Sequence, residues 1–171
     1  MTWFFLDGAP PRLVSTLWRT AQAFVPRLAR ADDAFAARVL PRAEYALYRR
    51  MDVRDRAHAC GVARALLTLE PAAPSTLLRA ALLHDVGKSG RRYRPLERIL
   101  VALYTPRALP HAPRLRGLRG AWQRRRHHPR YGAELILAAG GDPRVAELVA
   151  RHHHPAGDPE AELLRRADAR F

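Results

Sequence analysis

Apolar residues in this chain recur three and four positions apart, and no stretch alternates apolar and polar residues as a half-buried strand does. Over residues 11–30, Leu13, Leu17, Ala21, Phe24 and Leu28 form one such stripe, with Val14, Trp18 and Val25 beside them. A chain patterned this way can bury its apolar faces only by packing helix on helix, so an all-α domain is expected. The helix starts are marked as well. Asp32 or Asp33 can cap a short helix through Leu40, and Pro41 suits the first turn of the next. Asp52 can cap a helix to about Leu69, closed by Pro71. Ser75 can cap a helix over Thr76 to Val86, with Gly87 suited to the left-handed residue past its end. Pro95 opens a segment with Leu96, Ile99, Leu100 and Leu103 that stops near Pro106. Pro129 is expected to start a helix to Ala139, halted by Gly140-Gly141. Asp142-Pro143 and Asp158-Pro159 are cap-then-proline starts for helices of roughly 143–153 and 159–169. Between Thr105 and Gly120, prolines, glycines and arginines show little periodicity and read as a long basic loop with one short helix.

The chain has 171 residues, the size of one domain. Cys60 is the only cysteine, which excludes an intrachain disulfide and a Cys-based zinc knuckle. No apolar run approaches the ~18–20 residues of a membrane helix. The start, Met1 to Asp7, lacks a basic segment and is too short in apolar residues for a secretory signal. A cytoplasmic protein with no membrane partner is expected. The formal charge is +14, and Lys88 is the only lysine. Such a charge favours polyanions. The arginines are spread through most segments, however, with Arg124, Arg125 and Arg126 the only run of three. Nucleic acid is therefore the less favoured partner, and a phosphate-bearing small molecule the more favoured.

Histidines and aspartates sit on the inward faces of these helices. His58 shares a face with Val62, Ala65 and Leu69, and His84 follows Leu77, Ala80 and Ala81. His152 follows Val145, Leu148 and Val149; His153 follows Ala146 and Val149; Asp168 follows Ala161 and Leu164. His128 precedes Pro129, and Gly132 leaves space one turn on. A single inward histidine is ordinary core. A carboxylate on an apolar face is not, because burying it alone is expensive; it must be paired, hydrogen-bonded or bound to a metal. Imidazole and carboxylate together suit a borderline or hard divalent cation.

The order of these residues resembles the HD-domain superfamily of metal-dependent phosphohydrolases. The resemblance rests on His58, then Ala81-Leu82-Leu83-His84-Asp85-Val86-Gly87-Lys88, then His127-His128-Pro129 with Gly132-Ala133-Glu134, then Val149-Ala150-Arg151-His152-His153, and Ala167-Asp168. It covers residues 52–170. The HDxGK stretch is similar to the HDIG-type signature. The resemblance implies an HD-type helical core over 52–171, with helices of residues 1–51 packed against it. It implies His58, His84, Asp85 and Asp168 as ligands of a first metal. His128, His152 and His153 match the extra histidines that hold a second metal, with Asp85 bridging and His127 competing with His128 for its place. One or two divalent ions are expected, with Fe, Mn, Co, Ni or Zn favoured over Mg.

Lys88 matches a lysine beside the substrate phosphate, and it also suits a helix C-terminus through the dipole. Arg91, Arg92 and Arg94 follow it and suit either phosphate recruitment or a solvated face. Two metals can bind attacking and leaving oxygens together, and a metal lowers the pKa of bound water. The implied activity is hydrolysis of a phosphomonoester or phosphodiester in a nucleotide-like small molecule by a metal-activated hydroxide, with Asp85 and Lys88 as catalytic residues. HD-GYP proteins carry an HHExxDGxGYP stretch, whereas this chain reads His152-His153-His154-Pro155-Ala156-Gly157-Asp158-Pro159, which argues against that subtype. The other reading is a non-catalytic HD-fold module for signalling or nucleic-acid binding.

Overall fold

The computed structural model describes residues 30–89, 97, 100, 101, 103, 104 and 106–171. Among them are seven α-helices and no strand: α1 Asp33–Val39, α2 Arg42–Arg49, α3 Val53–Leu69, α4 Ser75–Leu83, α5 Gly117–Ala138, α6 Pro143–Arg151 and α7 Pro159–Asp168. The expected helices of residues 11–28, Arg91, Arg92, Arg94 and much of the Pro95–Pro106 segment lie outside the described residues. No described helix is long and apolar enough to cross a membrane.

Four aspartates start helices as their positions suggest. Asp32 accepts from Phe35 N–H, Asp52 and Asp142 from the N–H two residues on, and Asp158 from Glu160 and Ala161 N–H. Each bond satisfies an amide that the helix itself leaves without an acceptor.

Helix α4 is the centre of the molecule. Leu77, Ala80, Ala81, Leu82 and Leu83 are all fully buried, so α4 is covered on nearly every side. It packs against α3, α6 and α7, with α1 and α2 closing over it. Ala36, Leu40, Leu47, Tyr48 and Met51 of the α1–α2 region belong to the same core. Buried Glu44 of α2 accepts two bonds from Arg79 of α4, at 2.8 and 2.5 Å, and so ties the two helices together.

Three local expectations are corrected. Ser75 does not cap α4; it is the first helical residue, and the side chain at the cap position, Pro74, makes no hydrogen bond. The helix expected to reach Val86 ends at Leu83. The chain then turns through His84 and Asp85 into a 3-10 turn, Val86–Lys88. Gly87 is not left-handed; among the described glycines only Gly117, Gly140 and Gly157 have positive φ. Its reason is closeness: a Cβ there would fall 2.1 Å from the His128 carbonyl oxygen.

The largest difference is α5. It begins at Gly117, inside the expected loop, and runs through Pro129 rather than starting there. A mid-helix proline costs about 3 kcal/mol. Extensive packing of α5 against α6 and the 3-10 turn outweighs that cost. The remaining loop is pinned to α5 by Gln123. Its amide accepts from Leu115 N–H and donates to the carbonyls of Pro110 and Pro113.

Candidate metal centre

Because α4 ends inside the core, the two residues after it, His84 and Asp85, arrive nearly fully buried. His84 Nδ1 donates to the Ala81 carbonyl at 2.9 Å. His152, just past α6, donates Nδ1–H to Val149 at 2.7 Å, and His128 on α5 donates Nδ1–H to Arg125 at 2.7 Å. A carbonyl only accepts, so in each ring Nδ1 carries a proton and Nε2 is the nitrogen left to face a cation. This is the posture of a metal-ligating histidine, oriented by its other nitrogen.

The donors form two groups. His58, His84 and Asp168 place one donor atom each within 4.8 Å of one another. His58 Nε2 stands 3.0 Å and His84 Nε2 3.7 Å from Asp168 Oδ1. The second group is His128, His152 and His153, again within 4.8 Å. Asp85 faces both: Oδ2 lies 3.6 Å from His84 Nε2, and Oδ1 lies 3.2 Å from His128 Nε2. Lys88 Nζ pairs with that same Oδ1 at 2.6 Å. His127 turns away to the Leu109 carbonyl, and His154 is exposed.

Two observations fit this donor set to a cation. His84 Nε2 is buried with no hydrogen-bond partner, an arrangement that is costly unless something accepts its lone pair. His128 Nε2 and His152 Nε2 approach to 3.3 Å, so two lone pairs face each other where a cation would draw them together. Histidine and carboxylate donors are the set a divalent transition metal takes.

The electrostatics suit the same role. Burial raises the Asp85 pKa, but Lys88, His84 and His128 outweigh it and hold the carboxyl well below the usual range. Burial likewise pushes Asp168 up, and its bond to His58 with the nearby His84 ring brings it below its ordinary value. Burial lowers His128, and Lys88 adds to the effect. His152 is held well below its usual value by burial and by the neighbouring histidines. His153, which is exposed, is brought down to about 4, first by the partial desolvation of its ring and then by His128. At neutral pH the carboxylates are charged and these three histidines neutral, the protonation state that metal binding needs.

A family model, HD domain, matches residues 56–170, about two thirds of the chain and all of the donors above. The chain belongs to the HD-domain family. No curated protein and no solved structure gives a significant match. HD domains bind divalent metals and are generally hydrolases.

Several features of this HD domain were not visible in its sequence. Phe171 lays its ring edge-on to His58, with centroids 6.0 Å apart, and its tip lies 3.0 Å from where a Gly61 Cβ would be. Gly61, one turn after His58 on α3, was the one signal of that contact. Gln123 holds the 110–115 loop beside α5, and only its place in an unexpected helix makes it buried. The ion pair between the Lys88 ammonium and Asp85 is a further contact that the sequence did not announce.

Proposed function

We propose that this HD domain is a cytoplasmic, metal-dependent phosphohydrolase of the HDIG type. Its substrate would be a phosphomonoester or phosphodiester in a nucleotide-like small molecule. The observation that carries the reading is the position of Asp85, one oxygen toward His84 of the first donor group and the other toward His128 of the second. In this reading His58, His84, Asp85 and Asp168 hold one divalent ion. His128, His152 and His153 hold another, with Asp85 shared.

A bound divalent pair supplies Lewis acidity and lowers the pKa of water, the chemistry phosphoester hydrolysis requires. The chain supplies the rest. Asp85 stays ionised because Lys88 and two histidines surround it, so it is a ligand at neutral pH without first losing a proton. The His84, His128 and His152 rings are held by carbonyl anchors, so these three donors need little reorientation on binding. Lys88 is partly exposed, at 25% of its side chain, with its Nζ 2.6 Å from Asp85 Oδ1. In this reading its ammonium would also take a phosphate oxygen. The +14 charge favours an anionic substrate over a neutral one.

The test is a panel of nucleotides and simple phosphoesters, assayed with Mn, Co, Ni, Fe and Zn beside Asp85→Ala. The expected result is turnover by the wild type with at least one metal and none by the variant. Turnover unchanged in Asp85→Ala contradicts the reading. Steeply salt-dependent binding of RNA or DNA, with no hydrolysis of any phosphoester, favours the non-catalytic module instead.

A further inference from the structure

His84, His128 and His152 share one posture, an Nδ1–H given to the carbonyl three residues back. Two of the three have an obvious source for that carbonyl. His84 and His152 stand just past the ends of α4 and α6. Carbonyls in the last turn of a helix have no intrahelical N–H, so Ala81 and Val149 have an oxygen to offer.

His128 has no helix end. It lies well inside α5, where each carbonyl is ordinarily taken by the N–H four residues on. The N–H that would take the Arg125 oxygen is that of residue 129, and residue 129 is a proline. Proline has no N–H, and its ring crowds the carbonyl four residues back. Pro129 therefore leaves, in mid-helix, the same free carbonyl that a helix end leaves.

The other His128 tautomer has partners waiting. A proton on Nε2 could go to Asp85 Oδ1 at 3.2 Å or to His152 Nε2 at 3.3 Å. Either bond would close the second donor group with a proton. Only a dominant anchor on Nδ1 keeps Nε2 open.

We propose that Pro129 is a positioning residue for the second donor group. By withholding an N–H from the Arg125 carbonyl, it reserves that oxygen for His128 Nδ1 and fixes the tautomer whose Nε2 faces Asp85 and His152. The proposal rests on the metal-binding reading for its consequence, though not for the tautomer itself.

Pro129→Ala is the test, because alanine restores the N–H and is the best helix former. Two measurements are made beside the thermal melt: ring-nitrogen NMR of His128 in EDTA, and titration with Mn. The expected melting temperature rises by several degrees, since a helical bond is regained. His128 moves from Nδ1–H toward a mixture with Nε2–H. The ion that His128→Ala loses is bound about 10–100-fold more weakly, as when an outer-shell partner is removed. The other ion is unaffected. A purely structural proline predicts the gain in stability alone. His128 keeping its proton on Nδ1 in the variant overturns the proposal whatever the ion titration shows. A shifted tautomer with ion affinity unchanged overturns the positioning role. A shifted tautomer in a protein whose wild type binds no second ion supports the tautomer control and instead contradicts the metal reading of this group.

Discussion

The two donor groups are built on different principles. The first draws on three elements far apart in sequence: His58 from α3, His84 from the end of α4 and Asp168 from the end of α7. It has its own carboxylate, and His58 and Asp168 already pair at 3.0 Å while remaining partly exposed. The second comes from α5 and the end of α6 alone. It is all histidine, its members His128 and His152 are buried, and the carboxylate it faces is Asp85. The first group is self-sufficient in charge; the second borrows. A divalent ion should accordingly be held more tightly by the first group, and the second should be the one that variants tune.

Asp168→Ala should break the comparison most severely. It removes the carboxylate of the first group and leaves His58 without its partner. Metal analysis of the purified variant should find the tighter ion lost, by far more than the ~10–100-fold cost of losing an outer-shell partner. His128→Ala is the counterpart and should cost only the weaker ion. Loss of both ions in His128→Ala would mean that the groups are divided wrongly.

Gly87→Ala acts on the approach between the two groups. The added Cβ would lie 2.1 Å from the His128 carbonyl oxygen and 2.7 Å from Gly132 N, both backbone atoms of α5. Overpacking costs about 1–3 kcal/mol where side chains can yield, and backbone yields less. A urea melt should show that loss or more, together with weakened binding of the second ion.

Acid should separate the groups in the metal-free protein. His128, His152 and His153 have folded pKa values below the ordinary histidine value, so between the two the unfolded chain binds more protons. Stability from this group is complete above the unfolded pKa, about 6.5, and is lost as the pH falls below it. For His153 the loss continues through about 4. Asp168 is also depressed, but its contribution is lost only below the ordinary carboxylate range. Denaturant midpoints in EDTA should therefore fall between about pH 7 and pH 5, a range in which ionised Asp168 changes nothing. His153→Ala should flatten part of that fall, and a midpoint independent of pH would contradict the assignment.

The smallest effect is expected from Lys88→Met. It removes the ammonium 2.6 Å from Asp85 Oδ1, so cation binding to the second group should tighten modestly while KM for a phosphorylated substrate rises. Calorimetric titration and steady-state kinetics check the two halves separately.

Legibility in the sequence followed the same division. The first group could be read because each member lies on a clear apolar stripe, and the caps at Asp52 and Asp158 set the phase of two of its helices, α3 and α7. The second was harder. Pro129 looks like a helix start by every local rule, and nothing within a few residues of it reveals the packing that carries α5 through it. Gly87 was misread for a related reason. A glycine after an apolar run signals a left-handed cap, whereas here the demand comes from a helix some forty residues away. Local chemistry writes caps and stripes; close approaches between distant elements leave only a missing side chain behind.

The central claim is that Asp85 serves both groups. Equilibrium dialysis of the untagged protein against Mn, wild type beside Asp85→Ala, tests it most directly. The account predicts two ions per wild-type chain and loss or marked weakening of both in the variant, with the fold retained by circular dichroism. A folded Asp85→Ala that holds either ion as tightly as the wild type would contradict it.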